Sequence, residues 1–419
     1  MTGRERLAAA LDHRQPDRIP VDFNGTGVTG MHVRCVIGLR EHYGLEKRLV
    51  KVHEPYQMLG WIDEDLRDAL GIDVEGVYGP ETMFGCRNEN WTPWRMDDGT
   101  EVLMSGNFRT ARDANGDTLV FPGGDTSAPP SARLPRDGFF FDTIIRQEPI
   151  DEARLDPEDN LQEFAPVSEA ALDHFDRESR RAAATGRGVI ASFGGTALGD
   201  IALVPGPQLK RPRGIRDVEE WYVSTLTRRP YIHRVFERQT GIALANLERI
   251  AARVGDRVQA AFVCGTDFGT QQSTFCSVAA FRELYLPYYQ RINGWIHART
   301  AWKTFKHSCG AVFDLIPSFI ESGFDILNPV QISAAGMDAR RLKREFGRDL
   351  VFWGGGVDTQ KTLAFGTPEE VRAEVLERCD ILGRDGGFVF NAVHNIQANV
   401  PTANIAAMFR AIQEYGGRD

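Results

Sequence analysis

Cysteine is scarce and scattered in this chain. The 419 residues carry six, at Cys35, Cys86, Cys264, Cys276, Cys309 and Cys379, and no two share a C-x-x-C spacing. A chain this long needs no disulfides to hold a core, so free thiols and a reducing compartment are expected. Positive charge is also short. The formal net charge is −9, which gives a nucleic-acid partner no electrostatic support. The one basic run, Lys210-Arg211-Pro212-Arg213, is brief, broken by proline, and reads as a solvated loop. No stretch approaches ~18 apolar residues, so no membrane span is expected. No long apolar region follows the N-terminus, so no export signal is expected either. The expectation is a soluble, cytoplasmic protein. No internal repeat or low-complexity tract is visible, and no G-x-G-x-x-G opens the first helix, which argues against an open doubly wound sheet.

What is present is a rhythm. With 42% hydrophobic residues the chain can bury a large core, and eight short apolar runs stand out: Ile19–Phe23, Ile72–Tyr78, Val189–Phe193, Gln259–Val263, Trp302–Phe305, Asp325–Leu327, Leu350–Trp353 and Phe388–Phe390. Small, polar or reactive residues follow most of them at once. Helical patterns lie between, over Pro230–Arg253, Val278–His297, Ala311–Glu321, Pro368–Leu382 and Thr402–Tyr415. Thr367-Pro368-Glu369-Glu370 is a strong helix start, with a capping hydroxyl, proline in the first turn and acids at the positive dipole end. Continuous apolar strands alternating with helices predict an α/β fold, a (β/α)8 TIM barrel over residues 1–419 as one domain. Residues 84–165 break the rhythm. Turn dipeptides such as Asp98-Gly99 and Asn115-Gly116 lie between short alternating runs. They predict a β-hairpin-rich insertion between strands two and three, folded over the barrel mouth.

Histidine is sparse, nine in all, which makes Thr304-Phe305-Lys306-His307-Ser308-Cys309-Gly310 conspicuous. Residues i and i+2 of a strand share a side. His307 and Cys309 then project together at the carboxyl end of strand five, where barrel enzymes keep their active sites. An imidazole beside a thiolate suits zinc; a packed histidine beside a buried cysteine is the plain alternative. His394 follows strand eight, and Asp267 follows strand four. A metal on His307, Cys309 and His394 leaves one position open, as catalytic zinc requires. Asp267 is then a fourth ligand, a nearby base, or a simple loop cap. Asn24, Phe268, Gln271, Asn328, Gln331, Trp353 and Asn395 lie at or near predicted strand ends and are candidate substrate contacts, although amides there equally satisfy loop backbone. Gly354-Gly355-Gly356 reads as a tight turn that leaves a substrate room.

Several stretches carry a resemblance. They are Arg4-Glu5-Arg6 with Pro16-Asp17-Arg18-Ile19-Pro20, Asp267-Phe268-Gly269-Thr270-Gln271, Phe281-Arg282-Glu283 with Tyr285-Leu286-Pro287, His307-Ser308-Cys309-Gly310, and Asn391 to Pro401 with Asn404. Together they resemble the uroporphyrinogen decarboxylase-like superfamily, in its cobalamin-dependent methyltransferase branch. The resemblance covers residues 1–80 and 180–415. It implies a TIM barrel in which zinc activates a substrate for methyl transfer to or from a corrinoid carried on a partner protein. In the thiol-methylating members the third zinc ligand is a cysteine seven residues before the closing proline; here that place is His394, seven before Pro401. Decarboxylase members also place a histidine there, in an Asn-x-x-His pattern like Asn391-Ala392-Val393-His394. The arginine-rich motif with which decarboxylases grip porphyrinogen carboxylates is absent around Asp22 to Gly27.

The expected function is a zinc-dependent methyltransferase or demethylase component, with zinc on His307, Cys309 and His394. Asp267 positions the ligand or exchanges a proton, and aromatic residues of the insertion (Trp91, Trp94, Phe139, Phe140) help exclude water. The alternatives are a metal-free decarboxylase or lyase that uses His394 and Asp267, and a non-catalytic binding barrel. Expected partners are a small-molecule substrate and a corrinoid protein, with no nucleic acid and no membrane. The oligomeric state is not fixed, a homodimer being one option.

Overall fold

The computed structural model of the chain describes residues 1–417. Seven of the eight apolar runs pair as parallel strands of one curled sheet. In spatial as in chain order these are β1 (Val74–Val77), β2 (Gly188–Ala191), β3 (Ala260–Cys264), β4 (Lys303–His307), β5 (Ile326–Asn328), β6 (Val351–Trp353) and β7 (Phe388–Val389). The eighth run, Ile19–Phe23, forms no strand. It contributes a single bridge between Val21 and Phe390. The Phe390 N–H donates to Pro20 O at 2.8 Å, and the Asp73 N–H donates to Val21 O at 2.8 Å. Val21 thus lies between the two edge strands, while Pro20 has no N–H with which to extend the ladder. The architecture is α/β and TIM-barrel-like.

Alternation along the strands separates two cores. Ile190, Ala260, Phe305, Ile326, Val351 and Trp353 share the inner one with Leu7, Ala10 and Leu11 of α1 (Gly3–Leu11), which packs into it. Leu327, Phe352 and Val263 belong to the larger cluster shared with the helices. This parity decides the site. His307 is two residues beyond Phe305, and Asn328 two beyond Ile326, so both continue the inner face. Lys306 has the opposite parity and points to the helices.

The helices keep most of their predicted bounds. α2 runs over Arg229–Val254, α6 over Pro368–Leu382 and α7 over Thr402–Gly416. The Thr367 cap forms with Glu370 as a reciprocal capping box. The single helix expected over Val278–His297 is two, α3 (Val278–Leu284) and α4 (Leu286–Arg299), parted at Tyr285 with Pro287 in the first turn of the second. The helix expected from Ala311 begins later, as α5 (Ile316–Glu321) after a short 3-10 turn. Among the described residues no helix is long and apolar enough to cross a membrane.

Between β1 and β2 lie two small antiparallel sheets. One pairs Thr92–Arg95 with Glu101–Met104; the other has four strands between Thr110 and Thr143. Gly99 and Gly116 take φ values of 87° and 86° at the expected turns, a region open to glycine without a steric penalty. Among the hydrogen bonds that tie this segment to the rest of the chain are His32 Nε2 with Phe139 O at 3.2 Å and the Phe141 N–H to Tyr56 O at 2.8 Å. Trp94 is used inside the segment, edge-on to Phe108. Trp91 lies under the Lys51 ammonium, and Phe140 is 44% exposed.

Candidate metal centre

The strand register builds the centre. His307 is paired directly with Asn328 across β4 and β5, and both face inward. Their side chains meet, with His307 Nδ1 2.6 Å from Asn328 Oδ1. An amide oxygen only accepts, so Nδ1 carries the proton and Nε2 keeps its lone pair. That lone pair faces Cys309, whose Sγ is 3.4 Å from Nε2. The ring of His394 lies edge-on to His307, centroids 5.4 Å apart. One ligand atom from each of His307, Cys309 and His394 lies within 4.8 Å of the others. Zinc bonds of about 2.0–2.3 Å put tetrahedral donors roughly 3.5 Å apart. The 3.4 Å pair already fits that spacing, and all three ligand atoms lie close enough together to share one ion.

Asp267 completes the cluster. Its Oδ1 accepts the Cys309 N–H at 2.7 Å and lies 3.6 Å from His307 Nε2. Burial holds the His307 pKa below its usual value, so this approach joins a neutral ring to a carboxylate and is not an ion pair. Burial pushes His394 down to about 4, with His307 adding to the effect. Both imidazoles are therefore neutral and able to ligate near pH 7. Burial, and then Asp267, push the Cys309 thiol well above its ordinary range. Without a cation the sulfur keeps its proton.

The other expected contacts sort into two groups. Asn328, Gln331 and Asn395 make hydrogen bonds within the chain. Asn328 Nδ2 donates to Trp353 O, Gln331 Oε1 accepts the Gly310 N–H at 2.6 Å, and Asn395 bridges Gly30, Gly27 and Gln57. Trp353 is inner core, fully buried, with Nε1 donating to Asp22 Oδ2 at 2.8 Å. Phe268 lies on the helix side against Phe281, Tyr285 and Phe319, a placement that core packing explains without a substrate. Gln271 is exposed on the rim near Gln360. Asn24 keeps a buried polar atom free. Its Nδ2 donates to Gly60 O, but its buried Oδ1 has no partner. The glycine run is a tight turn, with Gly354 and Gly355 at φ 94° and 84°.

Two residues escaped the reading of the sequence. Lys306 is fully buried and faces outward from β4. Its Nζ donates to Thr266 O and His307 O at 2.6 Å each, lies 3.2 Å from Cys264 Sγ, and sits over the Phe268 and Phe319 rings. It ties the ends of β3 and β4 together directly behind the ligands. A bulge between Phe262 and Cys264 turns that sulfur outward to meet it, and no sequence pattern announces such a bulge. Asp200 lies in the long loop after β2 and is 8% exposed; burial pushes its carboxyl up to about 6, and Asp267 adds to this.

The sequence profile described as Uroporphyrinogen decarboxylase (URO-D) matches residues 213–415. Over those residues the chain is similar to that family. The match takes in β3 through β7 and all three candidate ligands. No curated protein sequence matches the chain. Among solved structures, a methyltransferase from Methanosarcina mazei superposes with a TM-score of 0.53 over 99% of each chain, at 13% identity. At that identity the likeness is one of fold.

Proposed function

We propose that this chain is a zinc-dependent methyltransferase or demethylase component. It would move a methyl group between a small thiol or methylated O, N or S compound and a corrinoid on a partner protein. The observation that carries the reading is the convergence of His307, Cys309 and His394, from two distant parts of the chain, with their ligand atoms within 4.8 Å. The fold of the Methanosarcina mazei methyltransferase supports it. We read the architecture as a (β/α)8 barrel whose first strand is reduced to Val21, with residues 84–165 inserted over its mouth.

Zinc held by the three side chains would supply a Lewis acid that favours a thiolate or polarises a methylated heteroatom. The chain's own residues prepare for that. Asn328 fixes the His307 tautomer so that Nε2 presents its lone pair. Cys309 would hold the metal as a thiolate, its proton released to solvent. The Cys309 N–H holds Asp267 Oδ1, leaving Oδ2 to orient the substrate or to take a proton. A metal-free decarboxylase fits less well. It gives Cys309 no task, and no arginine lies among residues 22–30 to grip carboxylates.

Elemental analysis tests the reading. About one zinc per chain is expected, lost in His307→Ala and in Cys309→Ala. An active protein free of metal removes the proposal. Methyl transfer that proceeds without any corrinoid protein removes the corrinoid part alone.

A further inference from the structure

Asp267 is fastened from several sides. The Cys309 N–H donates to its Oδ1 at 2.7 Å. Its own carbonyl accepts the Tyr222 hydroxyl at 3.2 Å. The next peptide is gripped by the residue between His307 and Cys309: the Phe268 N–H donates to Ser308 Oγ at 2.9 Å. The flanking carbonyls are held too, Thr266 O by Lys306 Nζ at 2.6 Å and Phe268 O by the Phe275 N–H at 2.7 Å.

The two hydroxyls reach this loop from unlike places. Ser308 is fully buried. Its N–H donates to Asn328 O at 2.7 Å, so β5 fixes the backbone from which its Oγ reaches across to Phe268. Tyr222 belongs to the helix Val218–Thr227, in the long segment after β2. Its ring stacks on Phe275, with centroids 4.8 Å apart and planes 18° from parallel, and the stack aims the hydroxyl at the Asp267 carbonyl. Beyond Asp267 the loops after β3 and β4 meet backbone to backbone. A Cβ on Gly269 would lie 2.8 Å from both Cys309 O and Ala311 N, and one on Gly310, at φ 91°, would run into Gly269 C and O. The Asp267 loop is therefore closed against the Cys309 loop, and the two hydroxyls hold it there.

What they hold in place is a carboxylate beside the ligands. Asp267 Oδ1 lies 3.6 Å from His307 Nε2, and a negative charge at that range favours a cation on the ligand set. That contribution falls if the loop drifts. We propose that Ser308 and Tyr222 are positioning residues that act on the metal centre through Asp267. Neither belongs to the ligand set. The inference rests on the methyl-transfer reading, whose zinc it requires.

Zinc affinity, measured by chelator competition on the purified full chain, tests this in a double-mutant cycle. Asp267→Asn keeps an acceptor for the Cys309 N–H but removes the charge, and should weaken zinc binding about tenfold or more. Ser308→Ala and Tyr222→Phe, the second of which keeps the ring stack, should each weaken it about threefold or more. Combined with Asp267→Asn, neither should weaken it further, because the group they position is gone. Wild-type affinity in either folded single variant, or losses that add in the double variants, overturns the proposal. A hydroxyl that only supports the fold has the same effect with or without the carboxylate. If Ser308→Ala fails to fold, the Tyr222→Phe cycle decides alone. A wild-type chain that binds no zinc sinks the methyl-transfer reading; a chain that binds zinc with additive losses sinks only this inference.

Discussion

His307 Nδ1 and Asn328 Oδ1 lie 2.6 Å apart across directly paired strand positions. The amide oxygen fixes which imidazole nitrogen is free, and so which one can bind a cation. Asn328→Ala removes that acceptor and is expected to weaken zinc binding by about 10–100-fold. Asn328→Asp keeps the acceptor and should retain most of the affinity. Chelator competition on purified variants measures both. Equal affinity in wild type and Asn328→Ala would contradict the positioning role.

Cys309 holds its proton in the metal-free protein, because burial and Asp267 both disfavour the thiolate. Zinc must displace that proton. The imidazoles are already neutral, so one proton leaves per zinc near pH 7. Affinity should then rise about tenfold per pH unit between roughly pH 6.5 and 8. In Cys309→Ser the residual affinity should be far weaker. An affinity independent of pH in the wild type would show that the sulfur is not a ligand.

Lys306 anchors the ends of β3 and β4. Lys306→Met keeps the stem's packing but leaves Thr266 O and His307 O without their donor. A stability loss on the order of 3 kcal/mol is expected in denaturant unfolding, with weakened zinc binding because the His307 backbone loses its tether. A variant of wild-type stability would contradict the anchoring role.

His53 is 6% exposed and packs between Trp61 and Tyr78, with Nε2 unpartnered. Burial pushes it down to about 3, with Arg67 adding to the effect. Below pH ~6.5 the unfolded chain takes up a proton that the folded chain refuses. The contribution of neutral His53 to stability is therefore complete above pH ~6.5 and is lost as pH falls toward about 3. His53→Phe removes this dependence. The variant should lie within about 1.5 kcal/mol of wild type at pH 8 and gain on it steadily as the pH is lowered. A difference that stays constant with pH would refute the assignment.

The parts legible in the sequence were those set by local periodicity. β6 appears as a continuous apolar run, and i, i+2 parity alone puts His307 on the face that Phe305 fills. The start of α6 is written in Thr367-Pro368-Glu369-Glu370. What stayed hidden depends on contacts across the sheet. Asn328 looked like a substrate amide because only the register between β4 and β5 sets it opposite His307. Phe268 follows a strand, yet its ring turns to the helices. Lys306 directly follows the run Trp302–Phe305, and its role depends on the bulge that swings Cys264 toward it. Asp200 belongs to a long loop, where no periodicity reports burial. Ile19–Phe23 has the composition of a strand, but Pro20 limits its pairing to Val21.

The most direct test of the account is X-ray absorption spectroscopy at the zinc edge on the purified full-length chain. The account predicts one sulfur neighbour at about 2.3 Å and two imidazole nitrogens near 2.0 Å, with the sulfur shell lost in Cys309→Ser and one imidazole lost in His394→Ala. A zinc shell without sulfur, or one that His394→Ala leaves intact, would contradict it.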